Sequence, residues 1–203
     1  MRLRVTAKRV RREGLNLDGR EKMARILERR PYGPGVHGPT SRTRQTDYGK
    51  QLREKQRAKL VFGVAERQFR NYFEKATNMK GDTAANLVRL LELRLDNAVF
   101  RAGFAKTRAA ARQLVSHAHV DVNGKKVTIA SYSVKPGDII AIRQGKREKK
   151  IWKAFAEAAS KTESPSWITS DMKELTAKVT SLPAGEELKQ VFEPQLIIEF
   201  YSR

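Results

Sequence analysis

Two arginines four residues apart, Arg108 and Arg112, follow closely on a lysine, Lys106, in the stretch FAKTRAAARQLV. All three side chain types bind anions, and the i, i+4 spacing puts both guanidinium groups on one face of a helix. Thr107 is placed to cap that helix, so backbone N–H groups and Lys106 converge at its positive end. That convergence suits a phosphate. On this reading Arg108 and Arg112 point together to the outside, while Ala110, Ala111, Leu114, Val115 and Ala118 face inward. A second basic set, Lys50, Arg53 and Arg57, has i, i+3, i+7 spacing and forms one stripe along a helix. Arg67 and Arg70 lie on the helix after it. Metal chemistry has little to work with. The chain has no cysteine, which excludes disulfides, thiolate metal sites and cysteine nucleophiles together. Its three histidines are His37, His117 and His119. The last two could share a strand face, but no third ligand is in view, so no metal and no cofactor is expected.

The elements that hold these residues can be read from spacing and turn chemistry. VDVNGKKVTI, residues 120–129, reads as a β-hairpin: Val120 and Val122 alternate with polar residues, Asn123-Gly124 makes the turn, and Val127 and Ile129 alternate again. A hairpin this short is not stable alone, so the helix holding Arg108 and Arg112 is expected to back it. Its lysines, Lys125 and Lys126, extend the same basic surface. A further strand follows a Pro-Gly turn, with Ile139, Ile140 and Ile142. Upstream, residues 84–103 read as one helix with two apolar stripes, Leu87, Leu91, Leu95, Ala98 and Ala102 on one and Leu90, Leu93 and Phe100 on the other. Such a helix is buried between layers. Gly103 closes it, and Thr83 is placed to cap its start. Another helix begins at Thr46 or Asp47 and is interrupted by Gly63. The next one buries Phe69, Tyr72, Phe73 and Ala76. Residues 29–44 form a Gly/Pro-rich loop flanked by arginines, Arg42 and Arg44 among them. The first fourteen residues form a basic arm, with Arg9, Arg11 and Arg12, of the kind that stays disordered until it meets nucleic acid.

Charge sets the class of partner. The 203 residues carry 42 Lys+Arg against 22 Asp+Glu, a net +20. A charge this large calls for a polyanion, and nucleic acid fits best. It is unevenly spread: residues 1–60 carry a net +12, residues 61–150 a net +10 and residues 151–203 a net −2. The polyanion is therefore expected along the first three quarters, and the last quarter reads as structural or protein-facing. No stretch approaches the eighteen or so apolar residues that span a bilayer, and no secretory signal opens the chain. The expectation is a soluble cytoplasmic protein with no membrane partner.

Residues 94–140, RLDNAVFRAGFAKTRAAARQLVSHAHVDVNGKKVTIASYSVKPGDII, closely resemble the S-four RNA-binding domain. DYGKQLREKQRAKLVFGVAERQFRNYF upstream, the PGVHG loop, Trp167-Ile168 and the terminal LIIEFYSR resemble the bacterial-type small-subunit ribosomal protein S-four family. The resemblance covers nearly the whole chain. It implies an α+β protein: a helical rRNA-binding domain with the basic arm over residues 1–91, a mixed domain over 92–184, and a tail, 185–203, returning towards the first. In the mixed domain two helices pack on a short antiparallel sheet around a motif core at 93–155. The implied function is that of a structural constituent of the small ribosomal subunit. It binds a multi-helix junction of the rRNA early in assembly, near where messenger RNA enters, and contributes to translational accuracy. Neighbouring small-subunit proteins, including the S-five family protein, are the implied protein partners. Many members hold zinc on four N-terminal cysteines; this chain has none, so no metal is carried over. The RNA-contacting residues are expected to be Arg9, Arg11, Arg12, Arg42, Arg44, Lys50, Arg53, Arg57, Arg67, Arg70, Lys106, Thr107, Arg108, Arg112, Gln113, His117, His119, Asn123 and Lys125.

Two other functions fit parts of the sequence less well. Arg94-Leu95-Asp96 is similar to a catalytic stretch of certain pseudouridine synthases, but no separate catalytic domain remains after the motif, and an enzyme is not expected. Stand-alone RNA chaperones with this motif are much shorter and lack the helices of residues 47–73.

Overall fold

Glycines and short polar residues place the helix ends, as the sequence suggests, but not always the ones it suggests. A computed structural model of the protein describes residues 5–40, 44–148, 152 and 164–202. The chain divides into two units, Met1–Val88 with Lys189–Arg203, and Arg89–Leu188.

The first unit is helical. Its elements are α1 (Ala7–Glu13), α2 (Glu21–Arg29), α3 (Asp47–Phe62), α4 (Glu66–Thr77), most of α5 (Thr83–Glu92) and, from the far end of the chain, α9 (Pro194–Tyr201). Thr46 caps α3, its hydroxyl accepting from Gly49 N at 3.2 Å, and Gly63 ends it with φ 62°. The basic arm is not formless: α1 buries Val10 and stops at Gly14, whose φ is 68°. It is held by α3, because Arg53 donates to Arg12 O at 2.8 Å and Arg57 donates to Glu13 O at 3.1 Å. Two guanidinium groups on the carbonyl end of a short helix satisfy acceptors that the helix cannot satisfy itself. The sequence reading has no helix at α2, although Met23, Ile26 and Leu27 stand at i, i+3, i+4 between charged residues; the signal is there and the reading passes over it. α9 lies along α3. Gln51 donates to Glu199 Oε2 at 2.8 Å, and Glu54 Oε2 accepts the Glu193 backbone N–H at 2.9 Å, at the positive end of α9. Aromatic pairs fill the contact, with Phe73–Tyr201 centroids 4.7 Å apart and Phe62–Phe192 6.2 Å apart.

At the start of α5 it is Asp82, not Thr83, that caps: its two carboxylate oxygens accept from Ala84 N at 3.1 Å and Ala85 N at 3.0 Å. The helix expected over residues 84–103 is two helices. α5 ends at Glu92 and α6 runs Leu95–Arg101. The break comes from a competing strand-like contact. Val134 N donates to Leu93 O at 2.9 Å, Leu95 N donates to Tyr132 O at 2.8 Å, and Arg94 bridges Ser133 with an extended backbone. The apolar stripe survives the break: Leu87, Leu91, Leu95, Ala98 and Ala102 are all fully buried.

The second unit packs α6 and α7 (Arg108–Ser116) on an antiparallel sheet ordered β2-β1-β3-β5-β4. Its strands are β1 (Val120–Val122), β2 (Lys125–Lys126), β3 (Ile139–Ile142), β4 (Ile168–Asp171) and β5 (Thr176–Val179). Short α8 (Gln144–Arg147) and a 3-10 turn (Gly185–Leu188) complete it among the described residues. Val122 pairs Ile140, and Ile140 pairs Ala177, so one face of the sheet carries Val120, Val122, Ile140, Ile142, Ala177 and Val179 into the core. Ala98, Val99, Ala111 and Val115 meet them from the helices, joined by Trp152 and Trp167. Each large apolar group buried there contributes about 1.5–3 kcal/mol. The hairpin turns at Asn123-Gly124, both left-handed (φ 50° and 75°), as its sequence predicts. Its second strand is shorter than predicted. β2 ends at Lys126, Val127 is partly buried against the core, and Ile129 is exposed. The ladder is lost there because residues 130–134 turn away to pair with the α5–α6 break.

Candidate RNA-binding surface

The cap on α7 is as the sequence reads: the Thr107 hydroxyl accepts from Ala110 N at 3.2 Å, and Lys106 stands exposed immediately before it. The arginines are placed differently. Arg108 does not point out with Arg112 as an open pair. Its Nε donates to Asn97 Oδ1 at 2.7 Å, its guanidinium lies 4.7 Å from the Phe100 ring centroid, and one terminal nitrogen is 3.7 Å from Glu92. Arg112 Nε is 3.7 Å from Asp96. Both are drawn across the helix towards carboxylates on α5 and α6, and each remains partly exposed.

Those carboxylates are buried. Glu92 accepts both Nε and a terminal nitrogen of Arg101 at 2.9 Å, and takes a third hydrogen bond from Asn97 Nδ2 at 2.6 Å. Burial works to raise the Glu92 carboxyl; the Arg101 pair, helped by Arg108 and Asn97, outweighs it and holds it below the ordinary value. Asp96 is gripped in the same way by Arg94, at 3.0 and 2.7 Å. Desolvation lowers the Arg108 guanidinium to about 10, with Arg101 adding to the effect against the pull of Glu92 and Asp96. Four arginines therefore meet two carboxylates on α5–α7, and Arg101 and Arg112 keep the largest exposed fractions among them. The arrangement can fix guanidinium forks for an anion. It leaves Asp96 no open approach of the kind a catalytic carboxylate needs.

Elsewhere on α7 and on the hairpin, Gln113, His117, Asn123 and Lys125 are exposed, as is Lys126. Asn123 spends its amide within the fold, donating to Asp138 Oδ1 at 2.8 Å and accepting from Ile139 N at 2.9 Å. His119 is buried, its Nδ1 accepting from Trp152 Nε1 at 3.4 Å. His117 and His119 do not come together, and among the described residues no three His, Cys, Asp or Glu side chains are grouped for a metal.

In the helical unit Arg12, Arg44, Lys50, Arg67 and Arg70 are exposed. Lys50 pairs with Asp47 and Arg70 with Glu74 at the surface. Arg53 and Arg57 of the expected stripe turn to α1, and Arg57 also binds Glu13 at 3.1 Å and Glu54. Arg11 supports the Gly/Pro loop, donating to Tyr32 O at 3.2 Å and Gly33 O at 2.9 Å. Arg9 is half-buried, and Arg42 lies outside the described residues. The sequence reading missed Arg101, Glu92 and Asn97. Their spacing shows no motif until the break at Leu93-Arg94 folds α6 back beside Glu92. Among the described residues, no helix is long and apolar enough to cross a membrane.

Comparison with known proteins agrees with this anatomy. The family description "Ribosomal protein S4/S9 N-terminal domain" matches residues 3–92, and "S4 domain" matches residues 93–140. The chain is 50% identical over 186 residues to small ribosomal subunit protein uS4 of Roseiflexus castenholzii, covering 90% of each chain. It is 52% identical over 177 residues to the uS4 of Thermodesulfovibrio yellowstonii, covering 87% of this chain and 85% of that one. With the uS4 of Akkermansia muciniphila the identity is 46% over 194 residues, 95% and 94% of the two chains. By matches of that extent, the chain belongs to the ribosomal protein S4 family, as a relative of small ribosomal subunit protein uS4.

Proposed function

We infer that the protein is a structural constituent of the small ribosomal subunit that binds its rRNA directly and acts in the ribosome of the cytoplasm. The observation that carries this is the near full-length likeness to uS4 proteins in a chain of net +20. A charge of that size is suited to displacing counterions from RNA. In this reading the helical segment, 1–91, and the mixed domain, 92–184, both meet rRNA at a multi-helix junction early in assembly, while the tail, 185–203, serves the helical domain. Exposed Lys106, Gln113, His117 and Lys125 touch RNA directly, with Arg108 and Arg112 offering the open side of their forks. Arg12, Lys50, Arg67 and Arg70 do the same from the helical unit. Arg42 and Arg44 face messenger RNA where it enters, near a neighbour of the S-five family, and this position contributes to accuracy. Backbone contacts dominate because structured RNA is recognised mainly by shape, phosphate and 2′-hydroxyl. The test is backbone footprinting of full small-subunit rRNA by the purified protein. A compact set of protections around one multi-helix junction is expected; scattered or absent protection would refute the assignment.

A further inference from the structure

The PYGPGVHGP loop, residues 31–39, is not used by the surface described above, yet it is held more firmly than an idle connection requires. Gly38 N donates to Gly35 O at 3.2 Å, closing a turn with Val36 and His37 at its two central positions. The limbs of the loop cross so closely that a Cβ on Gly38 would stand 2.0 Å from Gly33 O. Arg11 ties the base, with hydrogen bonds to Tyr32 O and Gly33 O and its guanidinium 5.0 Å from the Tyr32 ring centroid. Thr40 Oγ1 donates to His37 O at 3.3 Å. At the tip Val36 is 92% exposed, the most open large apolar side chain of the described residues, and His37 beside it is exposed.

Isolated exposed valines are ordinary on protein surfaces. This one differs in being fixed at the apex of a closed turn beside an imidazole, between basic flanks. No Asp or Glu occurs from Arg29 to Thr46, a segment that includes Arg29, Arg30, Arg42 and Arg44. An apolar protein partner would have to desolvate those charges, whereas RNA neutralises them. A ring and a branched apolar group on a loop flanked in sequence by arginines and free of acids match what receives an unstacked base: the ring stacks, and the apolar group covers the sugar or base edge.

We propose that the Val36–His37 tip is a binding site for one unpaired nucleobase of structured RNA, held ready by Arg11 and the Gly33–Gly38 crossing. This rests on the rRNA-binding reading but adds a base contact to a protein otherwise bound through phosphates. The experiment compares wild type with Val36→Ser, His37→Ala and Gly38→Ala on a small-subunit rRNA transcript, by affinity at several salt concentrations and by base-specific chemical probing. Each side-chain variant is expected to bind roughly fivefold to tenfold more weakly, the lower range of a lost base stack. Val36→Ser should keep the log–log salt slope of wild type, as no charge is removed. Gly38→Ala leaves both tip side chains in place but forces the crossing open, and should lose the same base protections. All three positions are outside the core, and circular dichroism melts should overlay. If wild type protects bases and Val36→Ser and His37→Ala protect the same bases with affinity within twofold, the tip site is wrong. A fall in salt slope with Val36→Ser would also overturn it. Failure of wild type itself to bind the transcript would instead overturn the ribosomal reading.

Discussion

Arg108 shows how a single side chain can be legible in type and illegible in direction. Its charge, its capped helix and its spacing from Arg112 can all be read from the sequence, and these suggest a residue dispensable for folding. The structure gives it structural work: its Nε satisfies Asn97 Oδ1, and its guanidinium sits near buried Glu92. Arg108→Ala leaves a largely desolvated acceptor without that donor, at a cost of about 1–3 kcal/mol. Arg101→Ala should cost more, up to about 3–5 kcal/mol, because Glu92 loses a bidentate partner while staying buried. Urea unfolding curves check both, and a midpoint unchanged from wild type for Arg101→Ala would refute the network. A second residue-scale prediction concerns acid. Burial alone would raise Glu66, but hydrogen bonds from Lys59, Tyr201 and Lys55 bring it from the ordinary 4.5 down to about 2. A carboxyl depressed on folding adds stability above its unfolded value and loses it as pH falls through the folded one. The contribution of Glu66 should therefore be complete above about 4.5 and vanish towards about 2. Glu66→Gln should flatten the stability profile in that window and leave its shape near neutrality unchanged, as acid titration followed by circular dichroism would record.

At the scale of elements, local signals were reliable where one element decides its own ends. Thr46 and Gly63 bound α3, Thr107 starts α7, and Asn123-Gly124 turns the hairpin as their chemistry requires. They failed where a distant segment competes. Nothing in RLLELRLDNA announces that Leu93 and Leu95 will give backbone groups to residues 132 and 134. The α1 helix is likewise stabilised by arginines more than forty residues away on α3. α9 is the clearest case of an element that depends on another. It is eight residues long, below the length at which an isolated helix persists in water. Its rings and its hydrogen bonds to Gln51, Glu54 and Glu66 are what hold it. Removing residues 194–203 uncovers Phe69 and Phe73, and the helical unit should become less stable and bind the dye ANS. Tyr201→Phe keeps the Phe73 stack, loses only the hydroxyl to Glu66, and should show a small stability loss without dye binding. Equal behaviour of the truncated and full chains in both assays would show that α9 does not cover this face.

For the whole molecule, the net +20 was legible from composition, but composition does not say which cations remain available to RNA. Many are committed inside: Arg94 to Asp96, Arg101 to Glu92, Arg57 to Glu13, and Lys55 and Lys59 to Glu66. Such charges shape the fold, and removing them weakens folding as well as binding. Lys106 and Lys125 are exposed, one beside the cap of α7 and the other at the hairpin turn. The two classes should separate in one experiment. Replacing Lys106 and Lys125 together by alanine should leave the melting temperature within a few degrees of wild type. Affinity for small-subunit rRNA should fall, and the log–log salt slope should drop by about 1.4–1.8 if two phosphate contacts are lost. Replacing Arg108 and Arg112 together should instead lower the melting temperature, by about 5–10 °C for a loss of a few kcal/mol in a chain of this size. Its binding defect at low temperature, where the variant is folded, should carry a smaller change in slope than the lysine pair, because these arginines are partly neutralised by Glu92 and Asp96. A lysine double variant with unaltered slope and affinity would mean that the exposed cations beside α7 are solvated surface and that RNA approaches the mixed domain from another side.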